Sequence, residues 1–258
     1  MAIIFKTEEQ IKILREGGKR LATVLQKVKE MVKPGVSTWE LDQYAEKLIR
    51  EYGDVPAFLN YRPQGVHTPY PASLCTSVNE EVVHGIPSKD KILKEGDIIS
   101  IDLGLKHKGL FTDHAMTVAV GEISPANKKL LEDTERAMHV GITAAVAGAH
   151  VGDIGFAIES FVKGQKIKYG IVEILAGHGV GVEIHEDPYV PNFGKKGTGA
   201  ILKKGMVIAI EPMLNRGTKN VDLDDDEYTF RTADDKNSAH FECTIAITDG
   251  EPEILTKI

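Results

Sequence analysis

Cysteine is nearly absent: Cys75 and Cys243 are the only two in 258 residues, and no CxxC spacing joins them. That leaves no disulfide framework to expect. Long apolar runs are missing too. Even Met206 to Ile210 falls far short of the roughly 20 residues that a membrane-spanning helix needs. The opening MAIIFKTEEQ turns acidic too early for a signal peptide. Nor is there an excess of positive charge, and a formal net charge of −7 gives no electrostatic case for nucleic acid or an anionic membrane. A soluble cytoplasmic protein is expected, with a peptide, a small molecule or a metal as its partner. The 42% of hydrophobic residues is enough to bury a full core, in one domain or in two fused halves.

Two stretches, ILKEGDIISIDLG (Ile92 to Gly104) and ILKKGMVIAIEPM (Ile201 to Met213), are near copies, and each runs an apolar strand into a carboxylate. Asp102 and Glu211 occupy the equivalent positions. An unpaired carboxylate in such a strand costs several kcal/mol or takes up a proton. Its appearance twice points to a site shared by two halves of one fold. GVSTWELDQYAEKLI (Gly35 to Ile49) also lies over GAHVGDIGFAIESFV (Gly148 to Val162), a weaker echo. The strand motifs lie 109 residues apart and the helix motifs 113, so one duplication with small insertions covers both.

Start signals support that order. Thr7 with Gln10 and Ser37 with Glu40 predict capping boxes, and Leu14, Leu21, Leu25 and Val28 follow at helical spacing. Ser124-Pro125 opens a third helix, and Val151 to Val162 reads as a fourth. Short β-branched runs fill Ser73 to Val120 and Ile171 to Ile258.

Asp102 is followed by LGLKHKGLFTD, ending at Asp113. With His107-Lys108 as the hairpin loop, the two aspartates are predicted to stand directly opposite each other. Opposed like charges destabilise a sheet unless a proton or a cation lies between them. In SAHFECTIAI, Glu242 faces away from Phe241, Cys243 and Ile245 and is the expected counterpart of Asp113. Four converging carboxylates ask for two divalent cations, and oxygen ligands with one imidazole suit Mn, Fe, Co or Zn. His178, between Gly177 and Gly179, is the natural imidazole, with His185 seven residues on. Two ions about 3.5–4 Å apart are a known arrangement for hydrolysis.

Taken together, NEEVVHGIP (Asn79 to Pro87), SIDLG, FTD, GHGVGVEIHEDP, IEPM and HFE resemble the type I methionine aminopeptidases, in order and spacing, over nearly the whole chain from Phe5. The resemblance implies an α+β pita-bread fold, with pseudo-two-fold antiparallel sheets covered by two helix pairs. It implies a single domain, residues 1–258, whose halves are about 1–120 and 121–258. The family's metal ligands fall on Asp102, Asp113, His178, Glu211 and Glu242, and its catalytic histidines on His84 and His185. Its methionine pocket falls on Phe58, Tyr61, Tyr70, Cys75, Ile184 and Tyr228. His240 and Thr244 are expected to touch the ligands from behind.

The implied activity is metal-dependent removal of the initiator methionine from nascent chains with a small second residue, at the ribosome, by a monomer. Three features depart from the commoner family pattern. Ile184 stands where many relatives have an aromatic residue, Tyr228 stands for a tryptophan, and RPQGVHTP (Arg62 to Pro69) lengthens a loop. Two readings compete. An aminopeptidase P or prolidase usually carries an extra N-terminal domain and an arginine after the second aspartate, which TDHAMTV lacks. A non-catalytic binding relative loses metal ligands, and here all five positions are filled. DLDDDE (Asp222 to Glu227) reads as a solvated turn, and His67, His107, His139 and His150 receive no role.

Overall fold

The helix starts form as their sequences dictate. In the computed structural model, which describes residues 2–63 and 65–258, the Gln10 amide donates to the Thr7 hydroxyl at 3.2 Å and the Thr7 amide to the Gln10 side chain at 2.9 Å. This box heads α1 (Glu8–Met31). Ser37 and Glu40 close a second box on α2 (Thr38–Glu51), and Ser124 caps α3 (Pro125–Ala144). At α4 (Val151–Lys163) the Asp153 carboxylate accepts the His150 amide at 2.7 Å.

One nine-stranded antiparallel sheet organises the molecule. Its main path runs Val55–Pro56, Ile98–His107, Leu110–Ala119, Glu242–Ala246, Val207–Ile210, Gly177–Gly179, Glu186–Val190. Leu74–Val78 pairs alongside Ile98–His107, and Glu253–Ile254 alongside Glu242–Ala246. One helix pair covers each half of one face. Leu21, Leu25 and Val28 of α1 and Leu41, Leu48 and Ile49 of α2 bury Ile99, Ile101, Leu103 and Leu105. Leu130, Ala137 and Ile142 of α3 and Ile154 and Ile158 of α4 bury Ile208, Ile210, Phe241, Cys243 and Ile245. A strand alternates sides with period two, so Asp102 and Glu211 are turned to the face away from the helices. Ile101 is fully buried, and Ile101→Ala is expected to lower stability by about 2–5 kcal/mol. Urea unfolding checks this through a lower midpoint at an unchanged slope.

The echo between halves is repeated in hydrogen bonds. Ser37 bridges Ile92, and His150 bridges Ile201. The Gly35 amide donates to the Leu93 carbonyl at 2.8 Å, and the Gly148 amide to the Leu202 carbonyl at 2.9 Å. Gly35 and Gly148 have φ of 90° and 89°, a left-handed bend that a side chain resists. The helix motif, weak as a sequence match, therefore marks the same helix entry twice.

The expected opposition of Asp102 and Asp113 is corrected. The turn is Lys108-Gly109, with φ of 48° and 89°, one residue later than expected, so Asp102 pairs with Ala115 and Asp113 with Gly104. Such a two-residue turn needs positive φ at both central residues, and Gly109 supplies one without strain. The aspartates end diagonally offset on one face. Among the described residues no helix is long and apolar enough to cross a membrane.

Candidate metal centre

Five neighbouring strands each bring one charged or imidazole group to the face of the sheet away from the helices. Asp102 lies on Ile98–His107, Asp113 on Leu110–Ala119, Glu242 at the start of Glu242–Ala246, Glu211 just past Val207–Ile210, and His178 on Gly177–Gly179. Ligand atoms of Asp113, His178 and Glu242 all lie within 4.8 Å of one another. Asp102 stands beside Asp113, close enough for the two carboxylates to repel, and Glu211 joins by its Oε1, 3.4 Å from His178 Nε2.

His178 can sit so deep because its neighbours lack side chains. A Cβ on Gly177 would come within 2.3 Å of the Ala209 carbonyl oxygen, and one on Gly179 within 2.2 Å of that of Asp187. The His178 Nδ1 meets the Gly179 carbonyl at 2.9 Å. A carbonyl only accepts, so Nδ1 carries the proton and Nε2 turns a bare lone pair toward the carboxylates. The Thr244 hydroxyl takes the Asp113 amide at 2.9 Å and donates to the Asp113 carbonyl at 2.8 Å. It holds the ligand's backbone rather than its carboxylate. His240 approaches from the side, its Nε2 3.7 Å from Glu211 Oε2.

Burial, then repulsion by Asp113 and Glu211, pushes the Asp102 carboxyl well above the usual range. Glu242 and Glu211 are raised by burial first and by Asp113 next. Asp113 rises to about 7, again by burial, against the pull of the His114 amide and Asp102. The buried Asp102 Oδ1, Glu242 Oε1 and both His240 nitrogens have no hydrogen-bond partner. Buried groups left this way are rare and costly. Hard oxygen donors beside one imidazole lone pair fit divalent cations, and Asp102, Asp113, His178, Glu211 and Glu242 offer that donor set.

Above them opens a cavity of about 370 Å³. Phe58, Tyr61, Tyr70, Cys75 and Tyr228 line it, together with His84, His185 and His240. Ile184 does not line it, contrary to the expectation. It is buried in the same apolar cluster as Phe58, Tyr70 and Cys75. Pro63, Val83, Leu175, Tyr189 and Met213 also line it, with no pocket role expected from the sequence. The Tyr70 and Tyr228 rings meet edge on at 5.1 Å.

His84 follows the strand Glu81–Val83 with φ of 60°, a left-handed conformation that a non-glycine residue keeps only where its surroundings impose it. The Gly85 amide donates to the Ser77 hydroxyl at 3.1 Å, and its carbonyl accepts from Thr76 N at 2.8 Å. Burial, with repulsion from His185, pushes the His84 pKa down to about 4. The His185 ring stands 4.4 Å from the His178 ring, and its Nδ1 is 2.8 Å from the Tyr61 hydroxyl.

Two supports escaped the sequence. Lys6, from the segment before α1, makes a buried ion pair with Glu186, whose other oxygen accepts the Val182 and Glu183 amides and so ties down the loop carrying His185. The HEDP motif pointed to Glu186, but nothing local pointed to Lys6. Glu227, read as part of a solvated turn, instead accepts the His67 amide at 3.3 Å and the Thr68 hydroxyl at 3.1 Å.

Comparison with known proteins points to a metallopeptidase. The sequence profile of metallopeptidase family M24 matches residues 12–249. A methionine aminopeptidase of Aquifex aeolicus is 46% identical over the full length of both chains. One of Clostridium acetobutylicum is 44% identical over 98% of each. The crystal structure of a Rickettsia prowazekii methionine aminopeptidase superimposes with a TM-score of 0.94 at 38% identity, covering 99% of this chain and 100% of that one. A Pyrococcus horikoshii prolidase shares the fold at a TM-score of 0.78 and 24% identity, with 63% of its length covered. The chain belongs to metallopeptidase family M24, among its methionine aminopeptidases.

Proposed function

We propose that this chain removes the N-terminal methionine from nascent proteins and peptides with a small second residue, in the cytoplasm as chains leave the ribosome, using two divalent ions. The observation that supports the reading is a sulfur- and ring-lined cavity that has the side chains of Asp102, Asp113, His178, Glu211 and Glu242 in its lining. Thioether sulfur packs favourably against aromatic edges, and Tyr70, Tyr228 and Cys75 offer such a wall.

Asp102, Asp113, His178, Glu211 and Glu242 hold the ions, which when bound lower the pKa of water and polarise a carbonyl. Glu211, set between His178 and His240, takes the proton of the attacking water and passes it to the leaving amine. His185 donates a hydrogen bond to the scissile carbonyl oxygen, where negative charge develops. His84, kept neutral by burial, meets the scissile amide nitrogen.

The test incubates protein loaded with Mn, Fe, Co or Zn with Met-Ala-Ser and with Ala-Pro-Ser and measures the freed amino acid. Methionine is expected from the first peptide and nothing from the second. Cleavage of Ala-Pro-Ser alone would move the chain to the prolidase type. Silence on both with every metal would favour a binding role.

A further inference from the structure

His185 and His178 are adjacent imidazoles with different surroundings. Nδ1 of His178 faces a carbonyl, whereas Nδ1 of His185 faces the hydroxyl of Tyr61 at 2.8 Å, with ring centroids 5.2 Å apart. We infer that Tyr61 is a positioning residue: its hydroxyl donates to His185 Nδ1, fixes the tautomer with the proton on Nε2, and so gives the substrate carbonyl a donor that points one way. This rests on the methionine-releasing function proposed above and deepens it, since Tyr61 was expected only as a wall of the methionine pocket.

The proton assignment is the step inferred: a phenol can donate or accept, and the structure fixes the 2.8 Å contact between the Tyr61 hydroxyl and His185 Nδ1. A phenol is a strong donor, and half-burial together with Glu183 raises the Tyr61 pKa further above 10, so the hydroxyl keeps its proton. A neutral imidazole that accepts at Nδ1 carries its hydrogen on Nε2. Two opposite tautomers then stand side by side: His178 offers a lone pair to the carboxylate cluster, and His185 offers an N–H to the cavity. Neither histidine exchanges role with the other while a carbonyl faces His178 Nδ1 and the Tyr61 hydroxyl donates to His185 Nδ1.

The chain invests in holding Tyr61 still. Its amide donates to the Phe58 carbonyl at 2.8 Å, its carbonyl accepts the Tyr70 amide at 2.8 Å, and the Asn60 amide donates to Tyr70 at 2.9 Å. These bonds close the base of the Arg62 to Pro69 loop. The far side of the loop is clasped as well. The Tyr228 hydroxyl donates to the Thr68 carbonyl at 2.5 Å and approaches that of Tyr61 at 3.4 Å, while Glu227 binds His67 and Thr68. Ile184 is buried in the core next to His185, and the Tyr61 ring stands 5.2 Å from the imidazole. The longer loop thereby acts on the catalytic histidine as well as on the shape of the pocket.

Tyr61→Phe removes the hydroxyl and keeps the ring. Loss of an orienting partner typically costs about 10–100-fold in activity, so kcat for Met-Ala-Ser is expected to fall at least about tenfold with KM changed by less than about twofold. In a His185→Ala background the same change is expected to have no further effect on kcat. Independently of turnover, long-range ¹H–¹⁵N spectra of the metal-free protein are expected to show His185 protonated at Nε2 alone, and a mixture of tautomers in Tyr61→Phe. Wild-type protein with the proton on Nδ1, an unchanged kcat in Tyr61→Phe, or a loss that persists in the His185→Ala background would each overturn the inference. Absence of methionine release from the wild-type chain would count against the proposed function instead, and the spectra would still decide the tautomer.

Discussion

Glu211→Gln is expected to lower kcat for methionine release by about 10³–10⁴-fold, the upper range for losing a general base, while the protein stays folded. The substitution keeps the shape of the side chain and one carbonyl oxygen, but it removes the group that can take a proton. The backbone at this position is held separately, by a 3.1 Å hydrogen bond from the Asn192 side chain to the Glu211 carbonyl. Glu211 is also one of the charges that raise Asp102 and Glu242, so its neutralisation relieves repulsion in the metal-free state. Thermal unfolding without metal is therefore expected at the wild-type temperature or above. Loss of turnover with no loss of stability separates a proton-handling role from a structural one. Methionine release near the wild-type rate would remove Glu211 from the mechanism.

Metal removal is expected to make stability fall as pH rises above about 6.5. Two groups of residues pull in opposite directions. His84, His178 and His114 have folded pKa values lowered to about 4, and His240 to about 3, all first by burial. The unfolded chain protonates these rings near 6.5 and the folded chain does not, so their contribution to stability grows from about pH 4 to 6.5. The carboxylates do the reverse. Their folded values are raised, to about 7 for Asp113 and well above the usual range for Asp102, Glu211 and Glu242. Their contribution is complete below the unfolded values near 4 and is lost as pH climbs through the folded ones. Between pH 4 and 6.5 the two trends offset each other; above 6.5 only the carboxylates remain. Saturating divalent cation abolishes the decline, because the ions take the place of the protons. At 100 times the dissociation constant the ion adds about 2.7 kcal/mol, or roughly 5–10 °C in Tm for a chain of this size. Scanning calorimetry at pH 5, 6.5 and 8, with chelator and with Mn or Co, checks both statements. A metal-free protein equally stable at pH 6.5 and 8 would contradict the electrostatic account of the cluster.

Helix starts, the apolar faces of α1 and α2, and the placement of Asp102, Asp113, Glu211 and Glu242 on one side of the sheet were legible because each depends on a local period or a cap. So was the pita-bread fold, through ordered motifs. What could not be read depends on contacts between distant segments or on a single turn. The hairpin turn lies one residue later than expected, and the pairing is shifted by two, because LKHKGL offers two candidate turns; the φ values at Lys108 and Gly109 mark the one that forms. Ile184 was assigned to the pocket by its position before His185, yet its side chain is buried in the apolar core. Lys6 meets Glu186 across 180 positions of sequence. Glu227 meets Thr68 across 159 positions. Tyr61 and His185 were both singled out, but their hydrogen bond spans 124 positions, and no motif states it.

The central claim is that one carboxylate and imidazole cluster both binds divalent metal and releases methionine. Titrating metal-free protein with Mn or Co, while counting bound ions by equilibrium dialysis and freed methionine from Met-Ala-Ser in the same samples, tests it most directly. Activity is expected to appear as up to two ions bind per chain, and both binding and release are expected to collapse in Asp113→Asn. Methionine release that survives chelation, or tight metal binding undiminished in Asp113→Asn, would contradict it.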